Sequence, residues 1–253
     1  DYFMMTTKRP HGKRPSKERF RERRFKSVFQ ETQPVTELPE PKGTRIIVLG
    51  GAEEVGRNMT VVETRDDIVI VDCGLQFPEE DMPGVDYVIP NITYLRGKEK
   101  KIRGIIITHG HYDHIGGLPH IASRLMNPPI YGTRLTNAII AKRQTDFQEY
   151  GNVVLREIDP DKPLNLGRLK IDFFRVNHNI PDCVGMVIHT PDGSIMHTGD
   201  MKFDHTPVMD KPAELGKMAR LGEQGVDLLL SDSTNAMKAG HQLSERAIGK
   251  ELL

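Results

Sequence analysis

Ile105-Ile106-Ile107-Thr108-His109-Gly110-His111-Tyr112-Asp113-His114-Ile115-Gly116-Gly117 decides how this chain is read. An apolar run from Ile102 reads as a buried strand, and it stops at a polar, glycine-flanked turn. Side chains that follow such a strand stand at a sheet edge, where ligands converge. Three histidines and one carboxylate fall within positions 109–114. Neutral imidazole and carboxylate are the usual nitrogen and oxygen ligands of zinc and related divalent ions. A histidine-rich surface has no reason to alternate His-x-His-x-Asp-His behind a buried strand. The turn therefore predicts a metal site.

Three other apolar strands end on acid or imidazole. Ile68-Val69-Ile70-Val71 leads to Asp72, Leu169 to Val176 leads to His178, and Ser194 to Thr198 leads to Asp200. A turn of this kind can face two ions, with His109 and His111 on one and Asp113 and His114 on the other. Asp200 can bridge, since its two oxygens reach two cations. Paired metals roughly 3.5–4 Å apart activate water and stabilise a phosphoryl group under in-line attack. Strand alternation turns His197 away from that side.

Working outward, Thr44 to Leu49 reads as a buried strand, Met59 to Thr64 as a second, and Asp66-Asp67 as the hairpin turn into the third. Strands so closely spaced predict an antiparallel or mixed sheet. Beyond the histidine turn, Leu118 to Leu125 reads as a helix and Thr133 to Phe147 as a longer one, with Thr133 as cap. Val153 to Leu155 and Val184 to His189 read as strands, Pro212 to Gly222 as a helix, Val226 to Leu230 as an apolar strand, and Ser244 to Leu253 as a helix. The expected fold is α/β and layered, with two sheets at its heart.

The chain has 253 residues and a formal net charge of zero, so no global field selects a partner. Its cations are unevenly placed. Residues 1–43 read as a basic tail and a Pro-rich linker, with Lys13, Arg14, Arg19, Arg21, Arg23 and Arg24 interleaved with Phe20 and Phe25. That pattern suits either a solubilising disordered tail or an arm that grips RNA phosphates. Cys73 and Cys183 form no disulfide framework and read as small buried hydrophobes in a reducing cytoplasm. No apolar run spans a bilayer, so no membrane association is expected.

The motifs together resemble the metallo-β-lactamase superfamily over about residues 44–235. They are the turn at 109–114, Val71-Asp72-Cys73-Gly74 before it, His178, and Thr198-Gly199-Asp200. The resemblance implies an αββα sandwich with metals at one edge of its sheets. His109, His111 and His178 would hold one zinc, Asp113 and His114 the other, with Asp200 between them and Asp72 orienting the cluster from behind. Mn2+ or Mg2+ could take the place of zinc.

Asp72-Cys73-Gly74-Leu75 with Phe77-Pro78, His178-Asn179-Ile180-Pro181-Asp182, and Ser231-Asp232-Ser233-Thr234-Asn235-Ala236 narrow the likeness to the ribonuclease J group, in the β-CASP branch. This implies a 5′-to-3′ exoribonuclease, with endonucleolytic cutting as well, that acts in cytoplasmic RNA processing and decay. It implies RNA with a 5′-monophosphate as substrate, a homodimer or homotetramer, and other RNA-decay proteins as partners. Asp232 would pair with a histidine that protonates the leaving oxygen. Tyr112 departs from the Glu usual in this group, and Asn179 from the usual Ser. Residues 44–235 are expected to be the N-terminal part of the metallo-β-lactamase domain and 236–253 the start of an inserted β-CASP domain. A last metal-binding histidine and the partner of Asp232 are then expected beyond Leu253. Two other functions fit the same residues: a hydrolase of small esters, thioesters or lactams, and a non-catalytic RNA-binding subunit.

Overall fold

The computed structural model describes residues 38–251. One sheet contains, in hydrogen-bonded order, β1 (Arg45–Gly50), β2 (Met59–Glu63), β3 (Ile68–Val71), β4 (Ile102–Ile106), β5 (Ile130–Gly132) and β6 (Leu155–Glu157). Its first three strands are antiparallel and the rest parallel, so the sheet is mixed. Connection length explains the change. A tight turn joins β2 to β3, where Thr64 N–H donates to the Asp67 carbonyl at 2.9 Å. Long crossovers precede β4, β5 and β6, and parallel pairing needs them.

The second sheet is an antiparallel meander of β7 (Leu164–Leu166), β8 (Leu169–Val176), β9 (Cys183–Thr190) and β10 (Gly193–His197), with β11 (Leu228–Leu230) parallel beside β10. Helices α1 (Tyr112–Ile115), α2 (Leu118–Ile121), α3 (Arg134–Gln144), α4 (Leu215–Glu223) and α5 (Glu245–Glu251) complete the regular elements apart from short 3-10 turns.

Alternation along the strands builds the layers. In β3, Ile68 and Ile70 face one way and pack with Ile115, Leu118, Ile121 and Ile140 from the helices. Val69 and Val71 face the other way and meet Ile171, Phe173, Met186 and Ile188 of the second sheet. Phe174, Val187 and Met196 on that sheet's far side pack under Leu221 of α4. Each fully buried aliphatic or aromatic side chain contributes about 1.5–3 kcal/mol relative to exposure. The order is helix, sheet, sheet, helix, as the motifs implied.

Several local expectations change. The strand at 44–49 is an edge strand rather than a buried one, and Val48 on it is 43% exposed. β11 is also an edge, shorter than the expected 226–230, with Leu229 exposed. The helix expected over 118–125 tightens at Ala122 and closes on Met126 and Asn127, both at positive φ, where Asn127 N–H donates to the Ala122 carbonyl. The helix expected over 133–147 ends at Gln144, and Phe147 lies outside helical geometry. Thr133 takes the cap position, but its hydroxyl donates to the Asp182 carbonyl at 2.8 Å. Asp182 Oδ2 accepts from Leu135 N–H at 2.9 Å, so the capping carboxylate comes from a distant loop.

The helix expected from Pro212 starts at Leu215, because Ala213 and Glu214 N–H groups are already bound to the Asn177 side chain and the Arg175 carbonyl. The strand near Val153 lies two residues later, and β7 has too little alternation to be foreseen.

Candidate metal centre

Parallel pairing of β3 with β4 sets their C-terminal ends side by side. Asp72 follows one and the histidine turn follows the other. Asp72 is 1% exposed and has a φ of 62°, a conformation uncommon for a residue with a side chain. That backbone turn sends its carboxylate under the histidine turn. Oδ1 accepts from Thr108 N–H at 2.8 Å, and Oδ2 lies 2.9 Å from the Thr108 hydroxyl and 2.7 Å from His114 Nδ1. The next residues clamp α1 from below. Cys73 N–H donates to the His114 carbonyl and Leu75 N–H to that of Tyr112. A Cβ at Gly74 would stand 1.6 Å from the Asp113 carbonyl oxygen, so only glycine fits there.

The turn itself is helical from Tyr112. Asp113 and His114 thus leave from a helical turn, while His109 and His111 leave from extended or loop backbone, which separates their directions. The second sheet supplies the rest: Val184 N–H donates to the Thr108 carbonyl, and a bridge between Asn177 and Lys202 draws the ends of β8 and β10 together. His178 and Asp200 follow those ends.

Two donor groups result, each with its ligand atoms within 4.8 Å of one another: His109, His111 and His178, and His109, His114 and Asp200. His109 Nε2 lies 2.9 Å from His111 Nδ1. The Asp200 carboxylate splits between groups, with Oδ1 3.4 Å from His114 Nε2 and Oδ2 3.7 Å from His178 Nε2. Asp113 Oδ2 is 3.4 Å from His114 Nε2. His197 belongs to neither group, and its Nδ1 accepts from Gly199 N–H.

Charge states suit cation binding. Burial, assisted by the nearby His114, pushes His109 down to about 2, so it is a neutral donor. Burial also lowers His111 and His178. At His114 burial opposes the charged form, but Asp72, Asp113 and Asp200 outweigh it and hold the imidazole well above its usual range. Burial works against ionised Asp113 and Asp200 too, yet contact with His114 keeps both below the ordinary carboxylate range. Neutral His109, His111 and His178, ionised Asp113 and Asp200, and a His114 that must give up its proton on binding make a donor set that fits divalent ions of the zinc type.

A cavity of about 540 Å³ opens beside Asp113, His114 and Asp200, lined also by Glu53, Asn58 and Asp232. Asp232 Oδ2 accepts from Met201 N–H and Oδ1 from Thr234 N–H; among the described residues no histidine is bonded to it. Asn58 went unnoticed in the sequence. Its Nδ2 lies 3.2 Å from the Asp113 carbonyl, 3.5 Å from Asp113 Oδ2 and 3.2 Å from His114 Nε2. The Gly-Arg-Asn of 56–58 gave no ligand pattern, and only the β1–β2 connection carries it there. Lys13, Arg14, Arg19, Arg21, Arg23 and Arg24 lie outside the described residues.

Two facing sheets between helices, with a group of three imidazoles and a group of two imidazoles and a carboxylate at one sheet edge, define a layered α/β fold with a candidate metal centre. The chain belongs to the metallo-β-lactamase superfamily, whose family model matches residues 52–244. It is similar to ribonuclease J of Thermus thermophilus, 47% identical over 82% of this chain and 37% of that protein. Ribonuclease J2 of Bacillus subtilis is 41% identical over 83% of this chain and 38% of its own length. The chain thus spans under two fifths of these relatives. A crystallised protein of unknown function from Enterococcus faecalis shares the fold at a TM-score of 0.62, with 17% identity over 83% of this chain and 56% of that one. Among the described residues, no helix is long and apolar enough to cross a membrane.

Proposed function

We propose that this chain carries the metal centre of a ribonuclease that hydrolyses phosphodiester bonds in RNA. The observation that carries this is the pair of donor groups sharing His109, with one Asp200 oxygen toward each. Similarity to proteins named ribonuclease J supports RNA over other esters. In this reading the enzyme works 5′ to 3′ on 5′-monophosphorylated RNA and also cuts internally, as a cytoplasmic homodimer or homotetramer alongside other RNA-decay proteins. Residues 236–253 begin an inserted β-CASP domain.

His109, His111 and His178 would hold one ion, and Asp113 and His114 the other, with Asp200 between them. Zinc fits this donor set. Two such ions supply an activated water and neutralise charge on the phosphoryl oxygens. The protein's own residues set the geometry. Asp72 fixes the His114 ring through Nδ1 and leaves Nε2 facing the cavity. Asn58 directs an amide N–H at Asp113. Asp232 is held at the cavity wall by two backbone N–H groups, and in this reading it would pair with a histidine that protonates the leaving oxygen.

The test uses full-length protein on 5′-monophosphate and 5′-triphosphate RNA beside a panel of lactams and thioesters, with His111→Ala as control. RNA decay should prevail, and His111→Ala should cost more than about a hundredfold, the upper range for loss of a supporting residue. RNA decay indifferent to His111→Ala would overturn the mechanism. Deleting residues 1–43 should flatten the salt dependence of RNA binding if the tail contacts phosphates.

A further inference from the structure

Tyr112 stands inside the candidate metal-binding turn, between His111 and Asp113, and is 43% exposed. The Arg143 guanidinium lies over its ring, 4.3 Å from the centroid. Phe147 takes part as well, with its ring centroid 4.9 Å from the same guanidinium carbon. The position is set by α3, which runs tightly along the turn: a Cβ on Gly110 would meet Ile139 Cδ1 at 2.7 Å, and Arg143 follows one helical turn later.

Arg143 has no carboxylate partner among the described residues, and its Nε is buried without a hydrogen-bond acceptor. A buried donor left unpaired is destabilising. The two ring contacts hold the guanidinium, and with Nε buried it is the terminal Nη groups that remain for an acceptor, as a planar pair that matches two phosphate oxygens. The cavity on the Asp113–Asp200 side is acidic, with Glu53 and Asp232 in its wall. A polyanion crossing the centre therefore needs cations elsewhere along its path, and Arg143 offers an uncompensated one.

We propose that Arg143, held by Tyr112 and Phe147, is a phosphate-binding subsite for the RNA backbone next to the scissile bond. This rests on the ribonuclease reading. The ligand is a phosphodiester anion of a polynucleotide, one or more linkages from the bond cleaved.

The experiment compares Arg143→Ala, Arg143→Lys and Tyr112→Glu in full-length, metal-loaded protein. Substrates are a single-stranded oligoribonucleotide and bis(4-nitrophenyl) phosphate, which has one phosphate and cannot reach a second subsite. For Arg143→Ala the loss of kcat/KM on RNA should exceed the loss on the small diester by about tenfold, mainly through KM, and the salt slope of RNA binding should fall by about 0.7. Arg143→Lys should recover part of both, whereas Tyr112→Glu, which sets a carboxylate under the guanidinium, should resemble Arg143→Ala. Inorganic phosphate should compete more weakly than a dinucleotide; equal competition would show an adventitious anion site and overturn the proposal. Equal losses on the two substrates, or none, would overturn the subsite while leaving the ribonuclease reading intact. Wild-type protein that hydrolyses the small diester but not RNA would overturn both.

Discussion

Asp72 Oδ2 lies 2.7 Å from His114 Nδ1, and both side chains are only 2% exposed. The contact joins the exit of β3 to the turn after β4 and leaves one nitrogen of His114 for the cavity. Replacing Asp72 with Asn keeps a residue that tolerates the left-handed backbone but removes the charge. Metal affinity, measured by competition with a chromophoric chelator, should fall about 10–100-fold. Unchanged affinity would show that backbone contacts alone orient His114.

Asp72, Asp113 and Asp200 outweigh burial at His114 and favour its charged form in the metal-free protein. Binding a cation must release its proton, since a ligand nitrogen needs a free lone pair. Calorimetric titration with Zn2+ in buffers of different ionisation enthalpy should give net release of about one proton at pH 7. His109, neutral down to about 2, adds nothing to that count.

The Asn58 amide touches Asp113 and His114, while its backbone N–H and carbonyl are bound to Asp113 and Gly74. Asn58→Ala removes the first set and keeps the second. Thermal stability should change little, and metal-dependent turnover should drop about tenfold, the loss of one hydrogen bond to a charged group. A drop in melting temperature matching the drop in turnover would make Asn58 purely structural.

His120 is 7% exposed, packed against Tyr87, Phe147 and Tyr150, and pushed down to about 4 by burial and by Arg143. Its pKa is lower folded than unfolded, and protonation favours the unfolded chain. Its contribution to stability is therefore full above about 6.5 and is lost as pH falls toward 4. The size is on the order of 3 kcal/mol. Denaturant unfolding of metal-free His120→Phe should show a flatter pH dependence between 6.5 and 4 than the parent.

Gly74→Ala should be among the most destabilising single-methyl additions in this chain. The added carbon would overlap the Asp113 carbonyl at 1.6 Å and approach Asn58 N at 2.8 Å, and both are backbone atoms that cannot rotate away. A loss above about 3 kcal/mol is expected, at or beyond the upper range for overpacking. A melting temperature within a few degrees of the parent would mean that α1 shifts freely on Asp72–Leu75.

Much of this was legible in the sequence because it depends on local periodicity and ligand type. The runs at 68–71, 102–107 and 169–176 announced buried strands, and the residues at their exits announced convergent chemistry. Edge strands were harder to read. Thr44 to Leu49 is as apolar as a central strand, and only its place in the sheet order exposes Val48.

The sequence by itself determined the donor types at 109–114, which follow from residue identity along one segment, while the helix–sheet–sheet–helix layering was implied by the family resemblance of its motifs. Tertiary structure alone decided that Asp200 presents one oxygen to each histidine group, that Asp182 rather than Thr133 caps α3, that Asn58 borders the centre and that Arg143 lies over the Tyr112 ring. Those relations join residues tens of positions apart, and their distances depend on how two sheets and a helix pack, which no local pattern encodes.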